Sequence, residues 1–203
     1  MNKTDGFTQK SNFSVSASNL NTESKSPTSN FAGSSTQSSV NINIKKLKGR
    51  QRHVFATIQI PYSIRQVWQV LTNYEAFTEF IPTLVQSRRL NRPSGGIRME
   101  EVRTNSLLGI NFSARSIFDI EEKFPHEIYY QLVEGDMKTF SGYWRLKPLS
   151  LSESKQGIEL IFDFFVLPQR FLPMVLVEHM LRQNIPANMR AIRQRVETIF
   201  EPQ

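Results

Sequence analysis

The sequence predicts an α+β domain in which a curved antiparallel sheet wraps around a long C-terminal helix. Seven segments alternate apolar and polar residues and are joined mostly by short turns, as in an antiparallel sheet with one apolar face. The chain ends in a helical stretch, Leu167–Phe200, whose first half is apolar nearly all round and so needs an apolar surface to lie on. That half is much shorter than the roughly 20 apolar residues that cross a bilayer.

The first strand and two short helices open the predicted domain. His53–Ile60 alternates with a period of two, and Pro61 ends the strand. Ser63 is placed to cap a helix with apolar residues at helical spacing. Asn73 is placed to cap a second short helix, which must stop before Pro82.

The other strands follow one another with turn signals between them. Glu134-Gly135-Asp136 marks one hairpin. In the terminal helix, Pro186 removes one backbone donor, so we expect a kink or a split near Asn184. The six strands predicted after His53–Ile60 are Leu84–Leu90, Ile97–Thr104, Ile110–Ile120, Glu127–Val133, Phe140–Leu146 and Ile158–Val166.

A polar tail precedes the domain. Residues 1–48 are rich in Ser, Thr and Asn and end in a basic stretch, so we predict a disordered tail, followed by a folded domain at 49–203. Asn41–Ile44 alternates and is compatible with a short added edge strand. The tail has no apolar signal region, so we expect a cytoplasmic protein. Import into an organelle stays open, because the tail is Ser-rich and poor in acids, although it lacks arginine.

The charge of the chain is concentrated before the domain. The formal net charge is +7, but residues 1–48 hold six lysines and two acidic residues, which leaves +3 for the remainder. The remaining charges alternate in sign, so we expect no nucleic-acid partner. The basic segment Lys45–Arg52 is either a solvated hinge or a contact with an anionic membrane surface.

No pattern of catalytic or metal-binding residues stands out. The chain has no cysteine, and its three histidines lie far apart, so we expect no metal and no cofactor. No catalytic residue is assigned, since no serine has an evident histidine partner. The adjacent pairs Glu100-Glu101 and Glu121-Glu122 are interpreted as solvated charges on the sheet.

Three stretches resemble a known family. Ile64–Pro82 and Glu134–Trp144 look like the first helices and the central hairpin of the polyketide cyclase/dehydrase and coenzyme Q-binding group of START-like (SRPBCC) domains. Leu181–Val196 looks like its terminal helix. The resemblance covers about residues 52–200. It implies the helix-grip fold and a cavity between sheet and helix that holds a lipid, a quinone, a polyketide or a hormone-like ring system.

The inward-facing residues of the last strands and of the terminal helix form either a filled core or the wall of an apolar pocket. The resemblance favours a pocket, because ligand sites are mostly apolar with few polar groups. His179 is the polar exception in the apolar half of the helix; it is either a structural histidine or a hydrogen-bond partner of the ligand. The candidate ligand-binding residues are Phe112, Phe118, Tyr130, Trp144, Phe162, Phe164, Met174 and His179.

Two functions fit these observations. The first is a non-enzymatic carrier or chaperone of a hydrophobic small molecule such as a lipid or a prenylated quinone, with peripheral membrane contact through Phe171, Leu172 and the basic segment. The second is an aromatase/cyclase-type enzyme acting on a polyketide-like substrate, in which His179, Tyr130 and Ser116 are the candidates for proton transfer. The lack of a catalytic pattern favours the first.

Overall fold

An eight-stranded antiparallel sheet is the main element of the computed structural model, which describes residues 39–107, 110–151 and 156–200. Residues 1–38 of the predicted disordered tail lie outside these ranges. The strand order is β1-β2-β8-β7-β6-β5-β4-β3. The strands are β1 Asn41–Lys46, β2 Arg52–Ile60, β3 Leu84–Arg89, β4 Ile97–Leu107, β5 Ile110–Lys123, β6 Glu127–Gly135, β7 Met137–Ser150 and β8 Gln156–Pro168.

Three helical elements complete the fold. Helix α1 spans Ile64–Leu71, a 3₁₀ helix spans Tyr74–Glu79, and helix α2 spans Met174–Ile199. The curved sheet and its long C-terminal helix confirm the predicted α+β, helix-grip fold. Among the residues described above, no helix is both long and apolar enough to cross a membrane.

Strand β1 lies inside the segment that the sequence analysis assigned to the tail. It pairs antiparallel with β2, with Asn41 opposite Thr57 and Lys46 opposite Arg52. The added edge strand is therefore present, and the sheet begins at Asn41, ahead of the expected domain boundary at residue 49. The inward-facing Ile42 and Ile44 pack against the core, which explains why a polar stretch joins the sheet.

Helix α1 begins as its sequence predicts. The Ser63 backbone N–H donates to the Gln66 side-chain oxygen at 2.9 Å, and the Ser63 hydroxyl accepts from the Gln66 backbone N–H at 3.4 Å, which forms a capping box. Asn73 precedes the 3₁₀ helix but makes no side-chain cap hydrogen bond, so that predicted cap is wrong.

Helix α2 runs unbroken through Pro186, so the alternative of two separate helices is wrong. A proline within a helix removes a hydrogen bond to the preceding turn, and tertiary contacts must hold the helix together. Pro186 is itself buried, and two residues earlier the Asn184 amide donates to the Asn105 side-chain oxygen of β4 at 2.8 Å. These contacts hold the middle of α2 against the sheet.

Two arginines, Arg50 in the β1–β2 turn and Arg52 at the start of β2, attach the first half of α2 and the loop before it to the sheet. Arg52, almost fully buried, pairs with Glu178 of α2 at 2.7 Å. Arg50 donates to the backbone carbonyls of Gln169 and Leu172, in the loop between β8 and α2. Farther along, one face of the helix packs into the core through residues three or four apart, namely Ile185, Met189, Ile192 and Val196.

Candidate ligand-binding cleft

The concave face is the side of the sheet whose alternate residues pack toward the core. On β5, β6, β7 and β8 this face carries Phe118, Tyr130, Trp144 and Phe164, and all four are buried. The register brings them into neighbouring rows: Tyr130 lies opposite Gly142, and Gly142 lies opposite Phe164. Four of the predicted site residues therefore share one surface.

Aromatic rings on this surface form a continuous array. Trp144 stacks on Phe162 with ring centroids 4.0 Å apart, and Phe162 lies 4.5 Å from Phe164. Phe140 stacks on Phe164 at 4.9 Å and contacts Phe118 edge-on at 5.4 Å. Such an array offers flat, apolar surfaces for a ring or an acyl chain.

Part of the array remains accessible although it lies on the concave side. Phe162 is only partly buried, whereas Leu160 and Phe164 on either side of it in the same face of β8 are 0% and 1% exposed. Phe112 on β5 and Phe140 on β7 are also partly buried. The centre of the concave face therefore keeps aromatic surface that its own neighbours leave uncovered. We call this partly exposed aromatic surface the cleft.

The two predicted residues of α2 lie in different settings. Met174 is the first residue of the helix and is partly buried. His179 is exposed, because it lies two positions beyond the buried Val177, on the other side of the helix. The structure gives no support to a hydrogen bond between His179 and an enclosed ligand.

Polar residues on β4 were missed by the sequence analysis. The register pairs Met99 with Phe118, Glu101 with Ser116 and Asn105 with Phe112, so Glu101, Arg103 and Asn105 follow one another along the concave face. The Arg103 guanidinium donates to the Glu101 carboxylate at 2.8 Å. The sequence could have predicted this placement. Met99 is apolar and should face the core, and Glu101, Arg103 and Asn105 follow it at the two-residue period of a strand.

The interpretation of Glu100 and Glu101 as solvated charges is wrong, since they are 3% and 5% exposed. Their side chains lie on opposite faces of the sheet. Glu100, on the convex face, accepts from Gln86 at 2.8 Å, from Arg115 at 2.6 Å and from Arg88. Hydrogen bonds from the Arg88 and Arg115 guanidiniums lower the pKa of Glu100.

The hydroxyl of Tyr130 is buried near Glu101 and Arg103. Among the described residues it has no hydrogen-bond partner. Burial, followed by the charge of Glu101, raises the Tyr130 pKa well above its usual value, so the phenol stays protonated near neutral pH. The hydroxyl is thus a donor that lacks an acceptor. Leaving a buried polar group without a partner lowers the free energy of unfolding by about 1–3 kcal/mol.

Charged side chains on the convex face are arranged in pairs. Arg98 makes two hydrogen bonds to Asp119, at 2.6 and 2.9 Å. Arg145 contacts Glu127 at 2.8 Å and Asp163 at 3.2 Å. These arginines are neutralised across neighbouring strands, which leaves no uniformly positive stripe among them.

Apolar side chains are exposed beside the β1–β2 turn. Phe171 and Val175 are 77% and 85% exposed, at the junction of β8 and α2. The bonds from Arg50 to Gln169 and Leu172 place the turn next to them, and Lys48 in that turn is exposed. Arg50 and Arg52 of the basic segment are engaged inside the domain.

A separate groove lies between α1, the 3₁₀ helix and the end of α2. Its volume is about 40 Å³, and Val70, Phe80, Arg195 and Phe200 are among its lining residues. A cavity that binds benzene measures about 150 Å³. This groove is therefore too small to hold a ring system.

Comparison with known proteins connects this architecture to one family. The sequence model described as polyketide cyclase/dehydrase and lipid transport matches residues 60–192. The "Ribosome association toxin RatA" of Escherichia coli K12 is 25% identical over 108 residues, which are 53% of this chain and 66% of the toxin. The chain thus matches slightly less than two thirds of that relative.

Solved structures share the fold at lower identity. A STAR-related lipid transfer protein from Xanthomonas axonopodis has a TM-score of 0.59 and 15% identity, with 78% of this chain and 93% of that chain covered. The Zhui aromatase/cyclase from Streptomyces sp. R1128 has a TM-score of 0.54 and 18% identity, with 74% and 97% covered. At these identities the similarity concerns the fold alone.

Proposed function

Because the chain belongs to the polyketide cyclase/dehydrase and lipid transport family, we propose that it binds a hydrophobic small molecule in the cleft and acts as its carrier or chaperone. The observation that carries this proposal is the accessible aromatic surface at the centre of the concave face. A lipid, a prenylated quinone or a polyketide-like molecule has the apolar area to cover it, and covering it releases water from apolar surface.

Neighbouring phenylalanines of β8 allow a matched test of this proposal. Phe162 points into the cleft, whereas Phe165 lies on the convex face and is 41% exposed. The purified protein is analysed by native mass spectrometry and by organic extraction, for the wild type, Phe162→Gln and Phe165→Gln. We expect a bound apolar molecule in the wild type and in Phe165→Gln, and less of it in Phe162→Gln.

Circular dichroism shows whether each variant is folded. If all three folded proteins carry no molecule and bind no added fatty acid or quinone, the carrier function is refuted. Equal loading of Phe162→Gln and the wild type would place any ligand outside the cleft.

We further propose that the protein docks on membranes through the exposed junction of β8 and α2. Phe171 and Val175 supply apolar side chains for the interface, and Lys48 lies in the adjacent turn, where it can attract anionic headgroups. Leu172, which is partly buried, follows Phe171 in the same junction. The lysines 45, 46 and 48 supply the positive charge of this surface, because Arg50 and Arg52 bond within the domain.

Flotation with vesicles of phosphatidylcholine and phosphatidylglycerol tests this docking surface. We expect the wild type to float and the double variant Phe171→Glu, Leu172→Glu to remain at the bottom of the gradient. Val85→Glu is the matched control, since Val85 is 58% exposed on β3, at the opposite edge of the sheet from β1. Equal flotation of wild type and double variant would refute the docking role.

An aromatase/cyclase activity is a second candidate, favoured by the buried polar groups of the cleft. Tyr130 and Ser116 are buried on the concave face, and Glu101 lies opposite Ser116. A positioned phenol can transfer a proton to a reacting carbonyl. Incubation with a poly-β-ketone thioester, followed by chromatography, tests this activity; cyclised product that disappears in Tyr130→Phe would support it, and product equal to a protein-free control would exclude it.

Nucleic acid is not part of this proposal. The paired arginines of the convex face, such as Arg98 with Asp119, argue against a phosphate-binding stripe. A gel-shift assay at 50 mM salt, with total RNA as competitor, provides the check; a salt-sensitive complex would contradict this part.

A further inference from the structure

We infer that the free edge of strand β1 binds an extended, acidic segment of a partner protein, which is added to the sheet as a further strand. In strand addition of this kind, backbone hydrogen bonds supply affinity and alternate side chains supply specificity. The edge is separate from the cleft, and β1 precedes residues 60–192, which the family model matches. A partner at β1 is therefore an interaction beyond the proposed function.

The turn after β1 shows which of its backbone groups point outward. The Leu47 N–H donates to the Gln51 carbonyl at 3.0 Å, at the turn end of the β1–β2 ladder. Hydrogen-bonded pairs alternate along an antiparallel ladder, so the odd-numbered residues of β1 bond to β2. The N–H and C=O groups of residues 42, 44 and 46 therefore point away from the sheet, and no backbone hydrogen bond joins them to another part of the described chain.

The opposite edge of the sheet, β3, is covered by the 3₁₀ helix. The Arg89 backbone N–H donates to the Glu75 carboxylate at 3.3 Å, and the Ser87 hydroxyl donates to the Tyr74 carbonyl at 2.8 Å. Such covering matters because the unpaired backbone of an edge strand is a template for another chain. Within the described ranges, β1 is the edge that has room for an added strand.

The side chains along β1 indicate the chemistry of that strand. Lys45, Lys46 and Lys48 are exposed and belong to none of the ion pairs of the described residues, unlike the paired arginines of the convex face. Ile42 and Ile44 are partly buried and share the other face of β1 from Lys45. Neighbouring strands are stabilised by opposite charges and by apolar pairs on the same face. A segment that alternates acidic and apolar residues therefore fits this edge.

A second copy of the chain is a poorer partner for β1. Its own two edge strands, Asn41–Lys46 and Leu84–Arg89, hold lysine and arginine but no acidic residue. Lysine on an edge strand also discourages pairing with other chains. If that were its whole role here, the edge would stay solvated whatever the charge of the segment offered to it, and the experiment separates these two explanations.

A capped peptide of about eight residues, within the usual length of a strand, is the probe. It alternates glutamate with valine, and fluorescence anisotropy of a label on it measures binding to the full-length protein without lipid, since the same lysines face the proposed membrane surface. One control peptide has lysine in place of glutamate, and another has N-methyl groups on its backbone amides. We expect saturable binding of the acidic peptide and at least roughly 10-fold weaker binding of both controls.

Variants of β1 separate backbone pairing from charge attraction. Ile44→Pro removes one outward N–H, which an edge strand tolerates, and should weaken binding of the acidic peptide roughly 5-fold or more. Ile44→Ala is the matched control, because it removes the side chain and keeps the N–H; it should bind within about threefold of the wild type. The double variant Lys45→Gln, Lys46→Gln should weaken binding roughly 3- to 10-fold and make it less sensitive to salt. Circular dichroism shows that each variant is folded.

Hydrogen exchange locates the bound peptide. The amides of residues 41–46 should exchange more slowly in the complex, whereas those of β3 should be unchanged. The inference is overturned if the folded wild type does not bind the acidic peptide at about 1 mM, or binds the N-methylated peptide equally well, or is protected only outside β1. None of these results bears on the loading of the cleft, which the Phe162→Gln comparison measures.

Discussion

The ion pair between Arg52 and Glu178 offers a test of how α2 is held on the sheet. The side chain of Arg52 is 5% exposed, whereas that of Glu178 is 36% exposed. Removing Arg52 and removing Glu178 should therefore lower the free energy of unfolding by different amounts. Glu178→Ala leaves a guanidinium buried without its carboxylate, while Arg52→Met leaves a carboxylate that water can reach.

The magnitudes follow from this difference in exposure. Removing one member of a buried pair costs about 3–5 kcal/mol, and we take the lower end for Glu178→Ala because Arg52 still donates to the backbone carbonyl of Gln51 at 3.0 Å. Arg52→Met should cost only about 1 kcal/mol, since its apolar stem is preserved and Glu178 becomes solvated. The free energy of unfolding should thus fall about three times more in Glu178→Ala.

Urea denaturation followed by circular dichroism at 222 nm measures both changes. For a domain of this size a loss of about 3 kcal/mol lowers the melting temperature by about 6–12 °C. Glu197→Ala is the control, because the Arg193–Glu197 pair on the same helix is more exposed and should cost under about 0.5 kcal/mol. The reasoning is refuted if Arg52→Met destabilises the protein as much as Glu178→Ala does.

Three further predictions concern other parts of the fold. The pKa of Glu100 is lowered in the folded state, so this carboxylate stabilises the fold fully above its unfolded pKa of about 4.3. The stabilisation is lost as the pH falls through the folded pKa. In Glu100→Gln the urea midpoint should therefore fall less between pH 5 and pH 3 than in the wild type, and an unchanged pH profile would contradict this. Gly142→Ala should destabilise by about 1–3 kcal/mol, because an added Cβ would lie 2.2 Å from the Cβ of Phe164, and a melting temperature equal to the wild type would contradict it. Ser63→Ala should cost about 1 kcal/mol by loss of the α1 cap, whereas Ser63→Asp should preserve the cap; the two urea midpoints compare them directly.

Local patterns in the sequence are sufficient to predict the framework. Strand alternation depends on the chain's own geometry, so Phe118, Tyr130, Trp144 and Phe164 could be assigned to one face without coordinates. The length and composition of the terminal stretch likewise predict α2, and Ser63 marks the start of α1. These features involve residues within a few positions of each other.

The tertiary structure decides how polar residues are used. Glu101 follows Glu100 and looks solvated, but its strand places it on the concave face beside Arg103. His179 looks buried by composition, but the rotation of α2 against the sheet turns it to the outside. Arg52 looks like part of a basic hinge, but its partner Glu178 lies 126 residues away in the sequence.

The sequence by itself therefore determined the elements and the apolar face of each one. The long-range packing decided which charged groups are buried and which partners they have. The physical reason is that the hydrophobic pattern of an element follows from its own repeat, whereas the cost of burying a charge or a hydroxyl depends on groups that only the folded chain brings close.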